Sequence, residues 1–305
     1  MGEIIRDNFA PLLEPGLRAI FMNEFARDEM QFKQIVNIQN SSKAIETDLR
    51  MSGFGPWLSK GTLDSTKYQQ PGENLKVQYI HETFSSGFMI EKEMVDDEQY
   101  SQINKFPKEL ALQGRLKIET DVASLLNSAF TPNPMAVNGE ALIANDHKLP
   151  TVSKGVRSNF LGNYALNEQS LELANAFTAQ QKTDNGDKAV LNFDTLVVPR
   201  ELEMTARRLL ESTAIPDANS TGKTYALNDI NPIRGKYKLV VLDYLTDPTA
   251  WFLMASRQHQ LNFFWREKVN FKSMNDFDTD VAKYKGRMRY SFGWTSDLGI
   301  IGARP

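Results

Sequence analysis

The stretch KYKGRMRYSFGW, Lys283–Trp294, alternates with a period of two. Tyr284, Gly286, Met288, Tyr290, Phe292 and Trp294 fall on one side. Lys283, Lys285, Arg287, Arg289, Ser291 and Gly293 fall on the other. Such a period marks a strand with one buried and one open face. The buried face needs a broad apolar surface to lie on, and the open face lines up four cations that need something opposite them.

The chain offers one element long enough to be that surface. Residues 107–130 carry the strongest helical pattern, with Pro107 suited to the first helical position and Pro132 and Pro134 closing it. Leu112, Leu116, Val122, Leu125 and Leu126 make one stripe, with Ile118 at its margin. Lys105/Glu109, Arg115/Glu119 and Lys117/Asp121 stand at i,i+4 spacing, a helix-supporting arrangement. At 1.5 Å per residue this helix is about 35 Å long. The strand 283–294 is expected to pack its aromatic face on that stripe and to turn Lys283, Lys285, Arg287 and Arg289 away from it.

The other segments are of three kinds. Residues 17–36 read as an amphipathic helix through Leu17, Phe21, Phe25, Phe32 and Val36, with Pro15 and Gly16 before it. It either docks on its own domain or packs on a neighbouring subunit. Residues 52–88 are rich in Gly, Ser, Thr and Lys, and Pro71-Gly72 is a turn signal. Leu75, Val77 and Tyr79 then alternate with Lys76, Gln78 and Ile80, which predicts a long two-stranded hairpin, low in apolar content at its tip. An isolated hairpin is marginal in water, so it must lie on its own body or on another subunit. Residues 140–265 read as a mixed α/β unit, with helices at 170–181 and from Leu202 to Leu210, strands at 194–199, 237–245 and 251–256, and a long polar loop at 215–232.

Enzyme chemistry finds little purchase. The chain has 305 residues, no cysteine and three histidines, His81, His147 and His259, far apart in sequence. The lack of cysteine excludes disulfides, thiolate metal sites and a cysteine nucleophile, and fits a reducing cytoplasm. STGKT (220–224) ends like a phosphate-binding loop, yet Asp217 stands where that loop needs glycine. GFG (53–55) meets Leu58 where a dinucleotide fingerprint needs glycine. DFDTD (276–280) lacks the turn glycine and the closing glutamate of a calcium loop. No catalytic residue, cofactor or metal site is expected. A net charge of −3 argues against general nucleic-acid affinity, and no apolar run approaches the roughly 20 residues needed to span a membrane.

Three separated segments, in order, resemble the major capsid proteins of tailed bacteriophages, and most of all the Mu-like major head subunits. They are GEALIANDHKLP (139–150), SLELANAFTAQQKTDNGDKAVLNFDTLVVPRELEMTARRLLES (170–212) and KYKGRMRYSFGWTSDLGIIGA (283–303). The resemblance covers residues 50–305. It implies an α+β fold with four parts. Residues 1–50 would form an N-terminal arm, 51–88 an extended loop that lies across the next subunit, 89–130 and 271–305 a peripheral domain with a long spine helix, and 131–270 an axial domain. It further implies a structural protein, not an enzyme, which assembles as pentamers and hexamers into the icosahedral shell around packaged double-stranded DNA. That DNA is bound non-specifically, and no membrane is involved. Assembly would take place in the bacterial host's cytoplasm, with a portal and a prohead protease. Some relatives carry a scaffolding region before the arm. Here the arm begins almost at Met1, so a separate scaffold protein is expected. A nanocompartment shell around cargo enzymes is the alternative, and a hydrolase using STGKT a more distant one.

Lys60, Lys67 and Tyr68 of the loop are candidate intersubunit contacts. Some relatives crosslink this loop through lysine, but no pattern here identifies a crosslink and none is expected. Lys283, Lys285, Arg287 and Arg289 can face water, DNA or a neighbour's acidic residues. The run Glu91, Glu93, Asp96, Asp97, Glu98 supplies a matching surface, so a contact with Glu93 and Asp97 of another copy is the favoured reading.

Overall fold

The structure, a computed structural model, describes residues 9–62, 64–68, 73–97, 99–132, 139–149, 155–213, 231–276 and 281–305, without the side chains of 9–12, 51 and 73–75. In chain order the elements are α1 (Phe9–Ala26), β1 (Asn37–Asn40), β2 (Ile45–Met51), β3 (Glu73–Ile80), β4 (Glu82–Glu91), α2 (Lys92–Asp96), α3 (Tyr100–Ile103) and α4 (Lys105–Asn127). Then come β5 (His147–Lys148), β6 (Val156–Arg157), β7 (Phe160–Gly162), α5 (Glu168–Thr178), β8 (Thr195–Pro199), α6 (Glu203–Glu211), β9 (Lys238–Leu242), β10 (Trp251–Met254), β11 (Leu261–Asp276), β12 (Val281–Trp294) and β13 (Ile300–Ala303).

The alternating strand is β12. It pairs antiparallel with β11 from Leu261↔Trp294 to Asp276↔Val281, a ribbon of about 50 Å at the usual rise. β4 and β1 flank it, giving the sheet order β1-β11-β12-β4. Gly87 of β4 sits where a Cβ would come within 2.3 Å of the Tyr284 carbonyl oxygen, so this register requires glycine. The even face of β12 is buried as its pattern demands: Met288, Tyr290 and Trp294 share a core with Ile118, Val122, Leu125 and Leu126 of α4. Towards the far end Tyr284 packs with Phe271, Ala111 and the arm residues Leu17 and Phe21. Tyr290 donates its hydroxyl to Asp121 at 2.7 Å. Burial and that carboxylate together push the phenol well above its usual range.

The buried side of α4 differs from the expected stripe. Ile118, placed at the margin by the sequence, is 0% exposed, and Leu112 is 44% exposed. The cause is the arm. α1 lies beside α4 and draws the helix's apolar side towards itself, burying Ala111 with Leu17 and Phe21. Of the three i,i+4 pairs, Lys117–Asp121 forms at 2.7 Å. Arg115 instead reaches the carbonyls of Glu24 and Asp28. Glu119 is buried and accepts the backbone N–H groups of Gln31 and Phe32 at 2.6 and 2.9 Å. Burial raises its pKa even so. This contact fixes the turn Gln31–Gln34, so Phe32 and Val36 lie beyond the helix, which starts at Phe9 and runs through Pro15. The arm helix therefore docks on its own chain.

A second sheet, in order β7-β13-β10-β8-β9, carries α5 and α6 on one face. Every residue of β8 and β10 is buried, as in a sheet covered on both sides. Leu196 and Val198 face α6 residues Ala206, Leu209 and Leu210. Val197, Phe252 and Met254 face the core of the first sheet. Asn167 caps α5 by accepting the Ser170 N–H at 2.7 Å.

Three spans differ from the expected ones. The sequence pattern missed that β11 begins at Leu261, within the expected axial span 131–270, because the β11–β12 ribbon is one continuous antiparallel pair. Residues 300–303, expected with the peripheral part, form β13 of the second sheet. The loop span 51–88 shifts at both ends: β3 pairs with β2, which starts at Ile45, while β4 belongs to the first sheet. Pro71-Gly72, STGKT and 277–280 lie outside the described residues.

The shifted stripe is testable. Ile118→Ala is expected to cost about 2–5 kcal/mol and Leu112→Ala less than about 1 kcal/mol, measured by denaturant unfolding. The reverse order would return the stripe to the face the sequence alone indicates.

Candidate assembly surfaces

The β2–β3 hairpin leaves the first sheet after β1 and returns to it at β4. Beyond its strands, residues 52–62 and 64–68 form a loop in which Asp64 N–H reaches the Gly61 carbonyl at 3.1 Å. This loop carries large apolar side chains in the open. Trp57 is 100% exposed and Tyr68 93% exposed, with Phe54 and Leu58 more than half exposed. Lys60 and Lys67 are exposed beside them. Large apolar side chains exposed together on one segment point to an interaction surface, and tryptophan and tyrosine are enriched at the centres of interfaces.

The outer end of the hairpin strands, where the loop begins, is fixed by charge. Arg50, at the end of β2, binds Asp184 through Nε and Nη2 at 2.7 and 2.5 Å and Asp297 through Nη1 at 3.1 Å. Arg157 of β6 binds the same two aspartates, Asp297 at 2.6 Å and Asp184 at 3.1 Å. His147 stands at 3.8 Å from Asp297 and bonds Glu140 and Asn159. All these side chains except Glu140 are buried. Burial alone would raise the Asp297 pKa, but Arg157, His147 and Arg50 outweigh it and hold the carboxyl below its ordinary range. The network joins the hairpin, the β5–β6 pair, the 182–188 turn and the segment after β12. Its members lie up to 247 residues apart, and no local pattern in the sequence announces them.

A second anchor lies on the open face of the first sheet. Tyr79 packs tilted against Phe264, with ring centroids 4.9 Å apart, and bonds Thr295 at 2.7 Å. Thr295 in turn donates to Asp48 of β2 at 2.6 Å. A Cβ on Gly293 would lie 2.9 Å from the Tyr79 ring, so glycine makes room for it. Burial pushes the Tyr79 phenol up to about 12.

The cations line the rest of that face, away from α4. Lys283 pairs with Asp276, and Arg287 approaches Glu267 at 3.6 Å, both acids on β11. Lys285 is exposed, opposite Lys272. Arg289 is half-buried, and its Nε has no hydrogen-bond partner among the described residues. Two carboxylates on the neighbouring strand thus offset part of the stripe, which alternation within one strand could not reveal. Glu93 and Asp97 are exposed in α2 and at its end, just beyond β4, whose last residue Glu91 pairs with Val281. No ion pair joins Glu93 or Asp97 to the stripe among the described residues. Among the same residues, no group of three or more His, Asp or Glu side chains is placed to hold a metal.

The sequence matches the family model described as phage capsid protein over residues 75–302. The chain belongs to the phage capsid protein family. Solved structures agree in fold with this capsid protein. One titled as the capsid of a native GTA particle matches with a TM-score of 0.54 at 10% identity, over 91% of this chain and 92% of that one. A virus-like particle of Pyrococcus furiosus gives 0.53 at 9% identity, over 95% and 98%. Microbacterium phage Oxtober96 gives 0.51 at 10% identity, over 91% of each chain. No curated protein matches the sequence. The α+β fold is that of tailed-phage major capsid proteins, and this capsid protein is a structural subunit of the virion shell.

The anchor of the hairpin yields a prediction. Asp297→Asn is expected to cost about 3–5 kcal/mol, as breaking a buried ion pair does. The carboxyl's depressed pKa stabilises the fold above the unfolded carboxylate value of about 4 and is lost as pH falls through the folded one. Thermal unfolding from about pH 7 to about pH 3 should therefore show a smaller acid loss in the variant than in the natural protein. An equal loss in both would remove Asp297 from the account.

Proposed function

We propose that this capsid protein assembles with copies of itself, as pentamers and hexamers, by laying the loop 52–68 across the next subunit. The carrying observation is Trp57, fully exposed on a loop whose base is held by buried ion pairs. A rigid base presents the apolar tip at little entropic cost. Each contact stays modest, and a closed shell repeats it many times. The shell encloses double-stranded DNA, held without sequence preference. It forms in the bacterial host's cytoplasm with a scaffold protein, a portal and a prohead protease. The subunit catalyses nothing. Family membership favours a phage head over a cargo nanocompartment.

Two further contacts belong to the same reading. Lys60 and Lys67 flank the apolar tip and orient it. Lys283, Lys285, Arg287 and Arg289 face the acidic segment around Glu93 and Asp97 of another copy. Their surplus over Glu267 and Asp276 supports this pairing, which acts on register and orientation more than on affinity.

Replacing Trp57 and Tyr68 together by alanine should leave the circular dichroism and melting temperature of the free subunit unchanged. It should abolish shells by electron microscopy at concentrations where the natural protein forms them. Normal shells from that variant would show that the loop tip is not an intersubunit element. Lys285→Glu with Arg287→Glu is expected to block assembly, and adding Glu93→Lys with Asp97→Lys to restore it in part. Assembly by the first pair alone would mean that the cations face solvent, and a defect confined to DNA retention would mean that they face the genome.

A further inference from the structure

The hairpin crosses into and out of the first sheet at two points, and one histidine joins them. Ser41 follows β1, where its N–H still bonds Trp265 of β11 at 2.8 Å. His81 is the single residue between β3 and β4. Its Nε2 lies 3.0 Å from the Ser41 hydroxyl and its Nδ1 2.9 Å from the Ser291 hydroxyl of β12. The Ser41 hydroxyl also reaches the Glu46 carboxylate of β2 at 2.7 Å. His81, Ser41 and Ser291 are all buried.

These bonds fix where the protons sit. Glu46 only accepts, so Ser41 donates to it. Ser41 therefore accepts from Nε2–H, and Nδ1 accepts from Ser291. For a neutral ring every donor in the relay has an acceptor, and for a charged one the Ser291 end must reverse. A proton added at Nδ1 would point at the Ser291 proton. Ser291 would have to rotate to accept it, leaving its own proton without the acceptor that the neutral ring supplies. The surroundings also oppose the charge. Arg289 of β12 and Arg266 of β11 stand close enough to act on the ring, and neither Nε has a hydrogen-bond partner among the described residues. Glu46 opposes them and is itself shared with Lys43. Glu267 of β11 stands opposite Arg289, and Glu82 of β4 opposite Tyr290 on the other face. Burial, then Arg289, lowers the His81 pKa, with Glu46 raising it and Arg266 lowering it again.

We propose that His81 is a proton-operated latch for the extended loop, closed when neutral and opened by protonation. Closed, it ties both crossing points to β12 and Glu46. Open, it frees the sheet-side end of the hairpin while the Arg50 network still holds the other end, so the loop can change its angle without leaving the body. The sign follows from linkage. The closed form binds fewer protons, so it is favoured above the ordinary histidine value of about 6.5 and disfavoured as pH falls below it. The inference concerns the free chain and stands apart from what the chain assembles into.

Hydrogen exchange on the full-length, unassembled protein at about pH 7.5 and about pH 5.5 tests it, across the histidine range. Corrected for intrinsic rates, protection of amides 41–47 and 78–82 should fall by up to about tenfold per pH unit below about 6.5. Protection of β8 and β10 should stay constant. His81→Gln keeps a donor for Ser41 and takes no proton, and its protection should be equal at both values. Arg289→Gln should shrink the response, since removing that cation brings the histidine nearer its ordinary value. A natural protein without pH dependence, or a His81→Gln variant with the same dependence, would overturn the proposal. Should His81→Gln fail to fold, an unchanged response in Arg289→Gln would overturn it instead.

Discussion

The structure turns on one buried carboxylate. Asp297 follows β12 and precedes the last strand of the second sheet, and it holds Arg50 and Arg157 together with Asp184. Buried ion pairs stabilise less than their number suggests, because desolvation offsets much of the attraction. Their value here is geometric. Two bidentate-capable arginines and two aspartates admit few arrangements, so they fix where the loop leaves the hairpin strands. An apolar contact in the same place would hold the hairpin as tightly and aim it less well.

Aiming matters because the described residues of the exposed tip carry neither helix nor strand to direct it. Trp57 and Tyr68 ride on those residues. Their position is inherited from Arg50 at one strand end, Tyr79 across the sheet, and His81 at the crossing. Each anchor uses a different interaction: ionic, aromatic and hydroxyl-relayed. A change in solution conditions that loosens one leaves the others in place.

The sequence showed the parts whose partners are local or periodic. The alternation of Lys283–Trp294 gave β12 and its buried face, and the apolar period of 107–130 gave α4. The five runs in the α/β region gave α5, β8, α6, β9 and β10. What stayed hidden depended on long-range partners. Leu261–Asp276 reads as mixed because its bulges break the period of two between Trp265 and Asn270. Ile118 looked marginal because nothing in α4 records that α1 lies beside it. Among the site residues, the exposure of Lys60, Lys67 and Tyr68 follows from a polar, turn-rich segment. The partial neutralisation of Lys283 and Arg287 by Asp276 and Glu267 needs the register of a strand the pattern had not found. The Arg50 network was beyond reach, since charges in a sequence look solvated until a fold buries them.

The two sheets share one apolar core. Val197, Phe252 and Met254 of the second sheet lie in the same cluster as Phe263, Tyr290 and Leu126 of the first and its helix. Close-packed interiors transmit displacement with little compression. A subunit built this way bends poorly between its halves. Curvature in a shell of such subunits must then arise at the seams between copies, and a lattice of them behaves as plates on flexible straps more than as an elastic sheet.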